Sequence, residues 1–200
     1  MAQGEYSSAN IKILEFDDVV RRRPGMYFGI ALDDPRLPTR VLHHVIDHAV
    51  HPMPHMAGPH GVVVEVEILG DLAFVISDDQ LCRPELSRVL EHGYFGSVLC
   101  SDRWALAAAA ALSRRTVVEV WQDERGLRQE LTGLRPVGPP ESFTAPGGRG
   151  TTVTIELDPD LLRPGAAITT DIEAIGLCQS ADCPTDAPQR VTVDDRRGGR

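Results

Sequence analysis

A layered α+β sandwich, with helices on one face of a mixed, mostly antiparallel sheet, is the fold class the sequence predicts. Three observations carry it. Strand-like runs come in pairs joined by tight turns, as in VVVEVEI-LGD-LAFVIS, which is the signature of hairpins. Helical runs are interspersed with them, so the hairpins have an apolar layer to pack on. One run, WALAAAAALS (Trp104 to Ser113), is apolar on every side, so it belongs inside the structure.

Taken in order, IKILEFDDVVRRR reads as a strand-like arm running into a helix that stops before Pro24, because the residue before a proline avoids the helical region. The loop ALDDPRLPT follows, and Thr39 is placed to cap a helix RVLHHVIDHAVH that Pro52 and Pro54 end. The first hairpin spans Val62 to Ile68 and Leu72 to Ser77. PELSRVLEHG is a short helix stopped by Gly93. After the buried helix, TVVEVWQD and GLRQELTGL form a second hairpin turning near Glu124–Gly126. Val137 to Gly150 reads as a proline- and glycine-rich loop, TTVTIELD as a strand, ITTDIEAIGL as a helix and QRVTVDD as a last strand. No internal repeat is visible.

The totals exclude several classes. The 200 residues suit one domain, and the formal net charge of −9 argues against broad contact with nucleic acid or anionic lipid, which require a basic surface. No apolar run reaches a membrane span, and MAQGEYSSAN has no basic region followed by an apolar block. The expected location is cytoplasmic. The four cysteines, Cys82, Cys100, Cys178 and Cys183, lack paired zinc-ligand spacing and are expected to be reduced thiols. Six of the seven histidines lie between His43 and His60. His44, His48, His51 and His55 are spaced to share one helical face, but Pro52 and Pro54 interrupt the helix before His55, which leaves His44, His48 and His51 as the metal candidates; no HEXXH glutamate is present.

The stretch EYSSANIKILEFDDVVRRRPGMYFG followed by VLHH resembles the start of the ATPase domain of the DNA gyrase B subunit and its topoisomerase IV relative. VVVEVEILGDLAFVISDD, AALS, RQE and RGTTVTIELD continue the resemblance in the same order over residues 5 to 162. It implies the GHKL (Bergerat) ATP-binding sandwich. It also implies an organisation of residues 1–23 as an arm and first helix and 24–200 as one ATPase-fold domain, with a shortened lid and no transducer or DNA-cleavage domain.

The same resemblance supplies candidate sites. Asp78, in ISDD, falls at the adenine-reading aspartate, and Thr151, in RGTT, at its supporting threonine; Pro84 and Arg128 fall at pocket-lining positions. Tyr6 and Ile11 match an arm that reaches over a neighbouring protomer, implying a homodimer or pairing with a gyrase B subunit. The family's glutamate base and Mg²⁺-holding asparagine find no match in LHHVIDHAVHPMPHMAG. An ungapped match puts His48 at the base position and Pro52 at the metal position; a match shortened by about one helical turn puts Asp47 and His48 on the family's Asp-Asn pair and removes the base. Gln80 and Cys82 replace the glycines after the aspartates, and CSDRWAL replaces the glycine-rich lid. Side chains there disfavour a backbone cradle, although Arg103 is placed to meet a phosphate.

Phosphoryl transfer depends on positioning and charge stabilisation, so the expected function is a non-hydrolysing ligand-binding or regulatory protein. Adenine nucleotide without the usual Mg²⁺ coordination, or a small molecule on the adenine floor, is its candidate ligand. The alternatives are an ATPase with a rearranged site using His48 or Asp47, and a new enzyme in the vacated pocket, with metal at the histidines.

Overall fold

The computed structural model describes residues 14–51, 62–80, 86–169 and 190–198. Within these, the chain runs α1 (Phe16–Arg22), α2 (Gly25–Phe28), α3 (Leu37–Val50), β1 (Val63–Gly70), β2 (Ala73–Asp78), α4 (Trp104–Ala111), β3 (Ser113–Gln122) and β4 (Arg125–Thr132). It continues through β5 (Arg135–Pro136), β6 (Glu141–Thr144), β7 (Arg149–Leu157) and β8 (Arg190–Asp195). Three 3-10 segments, Leu86–His92, Tyr94–Gly96 and Ser101–Arg103, link β2 to α4.

The strands form one open sheet in the order β5-β4-β3-β7-β2-β1-β8, with β6 also pairing β4. Every pairing is antiparallel except that of β1 with β8. The predicted mixed, mostly antiparallel sheet is therefore present. Cross-strand partners share a face, so the register sorts the residues. Val64, Asp78, Thr151, Val120 and Leu127 form one row across β1, β2, β7, β3 and β4 on the inner face. The next row, Glu65, Ser77, Thr152, Glu119 and Arg128, lies on the outer face. The inner face also carries Val66, Phe74, Ile76, Val118, Val153 and Ile155, all buried.

Helix α4 lies against α1, α3, β3 and β7. Its alanines are strong helix formers, and Ala105 through Ala111 are all buried; small side chains let a helix sit close to the sheet. Its C-terminal end needs partners for the last carbonyls. Arg21, from the RRR run, supplies one: its Nε donates to the Ala111 carbonyl at 2.8 Å, a cation where the helix dipole is negative. The Pro-Gly turn after it is the short helix α2, closed by Gly29 at φ 74°, a left-handed conformation that glycine takes without steric cost. It delivers Tyr27 and Phe28 to the core.

Three expectations change. Helix α3 begins at Leu37, with Pro38 in its first turn, where a missing N–H costs nothing. Thr39 is therefore inside the helix, and its hydroxyl bonds the Ala167 carbonyl at 3.3 Å and receives the Thr169 N–H at 2.9 Å. The segment read as a loop from Val137 to Gly150 contains β6, whose Phe143 covers Gly126 of β4; a Cβ at Gly126 would lie 2.3 Å from the Phe143 ring. The predicted helix ITTDIEAIGL has no regular structure at Ile168 and Thr169, and the rest of it lies outside the described residues. So do Tyr6 and Ile11 of the arm.

The loop from Gly93 to Cys100 turns the chain toward α4. Gly93 bridges Cys100, Tyr94 N–H donates to the Leu99 carbonyl at 2.9 Å, and Val98 N–H donates to Gln129 Oε1 at 2.9 Å. A Cβ on Gly93 would lie 1.5 Å from the Ser97 carbonyl oxygen, a backbone atom that cannot yield alone. Gly93→Ala is expected to cost roughly 2 kcal/mol or more, read as a melting temperature lower by several degrees with unchanged secondary structure content.

Candidate functional site

Alternation along AFVISD puts Asp78 on the same face as Phe74 and Ile76, which places a carboxylate against the apolar core. Directly opposite, Thr151 is its cross-strand partner on β7. The structure therefore brings together these two predicted residues, both buried. Between them and α4 lies Arg103, 1% exposed. Its Nη1 donates to Asp78 Oδ2 at 2.5 Å and its Nη2 to Asp78 Oδ1 at 2.7 Å, a bidentate fork of the strongest hydrogen-bonded ion-pair type. Nη2 also reaches the Gln80 carbonyl at 3.0 Å and Thr151 Oγ1 at 3.2 Å. With two protons and three acceptors, it shares one of them.

Gln80 completes the group. Its N–H donates to Asp78 Oδ1 at 3.0 Å, its Nε2 to the Ala49 carbonyl at 2.7 Å, and its own carbonyl accepts the Thr151 hydroxyl at 2.8 Å. One buried side chain thus joins the end of β2 to the last turn of α3. Two buried atoms, Gln80 Oε1 and Arg103 Nε, find no hydrogen-bond partner among the described residues; each such group costs about 1–3 kcal/mol.

Arg103, which the sequence leaves available to a phosphate, has its guanidinium turned to Asp78. The reason is local. A cation at the mouth of an all-apolar helix has only a buried carboxylate to turn to, and burying either charge alone costs more than pairing them. Trp104, the next residue, fills the space beside α3, with ring centroids 5.1 Å from His44, 5.0 Å from His48 and 6.5 Å from Tyr27.

The other predicted residues are placed apart. Arg128 is on the outer face, half exposed and paired with Glu119 at 2.9 Å, bordering a groove of about 580 Å³ with Glu130, Val137 and Glu141. It is not brought to the inner-face row of Asp78 and Thr151. Pro84 lies outside the described residues, as does Cys82. The three histidines named as metal candidates do not converge: His44 and His48 meet Trp104 edge-on, whereas His51 caps α3 and turns to Asp47, 2.8 Å from its carbonyl and 3.3 Å from its carboxylate. Among the described residues no three His, Cys, Asp or Glu side chains form a metal-holding group. The expectation of reduced thiols fails at Cys100, which is disulfide-bonded; the other three cysteines lie outside the described residues.

Burial, followed by the Arg103 cation, holds the His48 imidazole down at about 4, and burial likewise lowers His44. Both rings are therefore neutral at pH 7. No described helix is long and apolar enough to cross a membrane.

No family model matches the chain. Individual relatives do. The chain is 28% identical over 185 residues to the B subunit of DNA topoisomerase 4 from Caulobacter vibrioides, covering 82% of this chain and 26% of that protein. It is 32% identical over 181 residues to the B subunit of DNA gyrase from Mycobacterium tuberculosis, covering 79% and 25%. It is 26% identical over 178 residues to the novobiocin-sensitive B subunit of DNA gyrase from Streptomyces niveus, covering 79% and 25%. The chain spans about a quarter of the length of these relatives.

The buried pair and the neutral histidine can each be tested by stability measurements. Arg103→Met or Asp78→Leu is expected to cost about 3–5 kcal/mol, because each strands a buried charge, while the double change Asp78→Leu with Arg103→Met is expected to cost much less; denaturant titration of wild type, the two single variants and the double variant measures the coupling. His48 has a folded pKa below its unfolded value of about 6.5. Below that pH the unfolded chain takes up a proton that the folded chain refuses until about pH 4, so stability falls as pH drops from 6.5 toward 4. A melting series over that window in wild type and His48→Gln is expected to show a shallower fall in the variant.

Proposed function

This chain belongs to the gyrase B-like family, and we propose that within it the chain acts by binding and not by turnover, as a non-hydrolysing ligand-binding or regulatory protein on the ATPase scaffold. The observation that carries this reading is the bidentate Arg103–Asp78 pair. In the family resemblance Asp78 is the group that reads adenine. Here three of the roughly four acceptor positions of its carboxylate are taken by protons from Arg103 and Gln80.

Two further placements support it. Asp47, a candidate for rearranged chemistry, is exposed and turned to His51. His48 is neutral but packed edge-on against the Trp104 indole. A base works within hydrogen-bond reach of the proton it removes; Asp47 stands at the surface on a partner histidine, and the His48 ring is covered by an indole. The segment Ser101–Trp104, which stands where the resemblance calls for a glycine-rich lid, is a 3-10 turn leading into α4, with side chains at positions where a cradle of backbone N–H groups favours glycine. In this reading a partner, either a second copy or a gyrase B subunit, is held by the N-terminal arm bearing Tyr6 and Ile11. The chain then contributes its surface to that partner.

Calorimetric titration with ATP and a non-hydrolysable analogue, each with and without Mg²⁺, tests this together with a phosphate-release assay. The expected result is no turnover and no Mg²⁺-dependent gain in affinity. Tight Mg²⁺-dependent binding with phosphate release would overturn the reading.

A further inference from the structure

Four acceptor atoms lie within hydrogen-bond distance of the Arg103 guanidinium. The two Asp78 oxygens, the Gln80 carbonyl and the Thr151 hydroxyl oxygen, which gives its own proton to Gln80, all point at it. Such a set selects a planar group rich in N–H donors and repels groups that only accept. Arg103 fills it incompletely, since its Nε and the neighbouring Gln80 Oε1 find no partner among the described residues although both are buried. Arg103 is the last residue of the 3-10 turn Ser101–Arg103 and the N-cap of α4, with φ −98° and ψ 42°, outside the helical region, and its side chain makes no cap hydrogen bond to that helix.

We propose that Asp78, the Gln80 carbonyl and Thr151 form a pocket for amidine- or guanidine-like ligands, including a guanidinium from another chain, that Arg103 occupies in cis, so that a ligand enters only by exchange with this side chain. The inference deepens the binding reading above and rests on it for the location of the ligand. The tethered guanidinium acts as a competitor at high effective concentration. A free ligand therefore binds the wild-type chain with an affinity reduced by the fraction of molecules in which Arg103 has left. Exchange keeps the buried carboxylate paired throughout, which is why a cationic ligand is favoured over a neutral one.

The probe is benzamidine, titrated by calorimetry and thermal shift into the full chain, into Arg103→Ala and into Arg103→Ala with Asp78→Asn. Benzamidine is expected to bind Arg103→Ala at least about tenfold more tightly than wild type and to raise its melting temperature, and the Asp78→Asn change is expected to abolish both effects. Equal binding to wild type and Arg103→Ala, or binding that survives Asp78→Asn, would overturn the proposal. Should the alanine variant fail to fold, Arg103→Lys keeps a cation near Asp78 without the fork. Benzamidine must then bind it more tightly than wild type, or the proposal fails. ATP with Mg²⁺ is run on the same variants. Turnover in any of them would count against the non-hydrolysing reading while leaving the exchange result standing on its own.

Discussion

A carboxylate on the apolar face of a sheet forces the structure around it. Asp78 falls there because strand β2 alternates strictly, and everything nearby is arranged to answer its charge. Arg103 enters from the start of α4, Gln80 turns its backbone N–H inward, and Thr151 supplies a hydroxyl from the neighbouring strand. The Gln80 side chain then ties the same point to Ala49 of α3. Two helices and two strands thus meet at one ion pair. Such a pair contributes little net stability over a well-packed apolar substitute, but it is costly to break from one side. It fixes where α4 begins as much as it stabilises the domain.

This arrangement explains why the space between α3 and the start of α4 is filled with rings. Once Arg103 is drawn in to Asp78, Trp104 has one place to go, beside α3, where His44 and His48 present their edges. The burial that follows is what keeps His48 neutral. Phe16 and Tyr27 extend the same layer toward Tyr94, so the N-terminal helix, the Pro-Gly turn and the loop before α4 share one aromatic seam. Arg21, at the other end of α4, binds the last carbonyl of the buried helix. The opening arginine-rich stretch is thereby part of the core architecture.

Much of this is legible from residue types. The hairpins, the buried alanine helix and the helical run around LHH carry strong periodicity, and the gyrase B-like family is written in RRRPGMYFG and its collinear partners. The Asp78–Thr151 neighbourhood is legible from that resemblance. The Arg103–Asp78 bond escapes the sequence reading, although two signals point to it. Asp78 occupies an inward position in AFVISD, and Arg103 stands directly before a run with no other charge; each requires a counter-charge, and each is the nearest remedy for the other. The start of α3 is misplaced because Thr39 is a good cap by type, whereas Pro38 needs an early helical position. β6 is invisible because four residues among prolines and glycines give no period, and its place is set by pairing with β4. The outer-face position of Arg128 is not legible, because family position says nothing of sheet face, which only the register decides.

The tryptophan that follows Arg103 has an optical consequence. Indole emission responds to the polarity and protonation of what touches it, and Trp104 touches two imidazoles within about a ring's width. The packed layer beside α3 therefore carries its own intrinsic probe, one residue away from the ion pair. The molecule's second indole, Trp121, lies across the sheet on the outer face over Gly150, where it records the solvent side and serves as an internal reference.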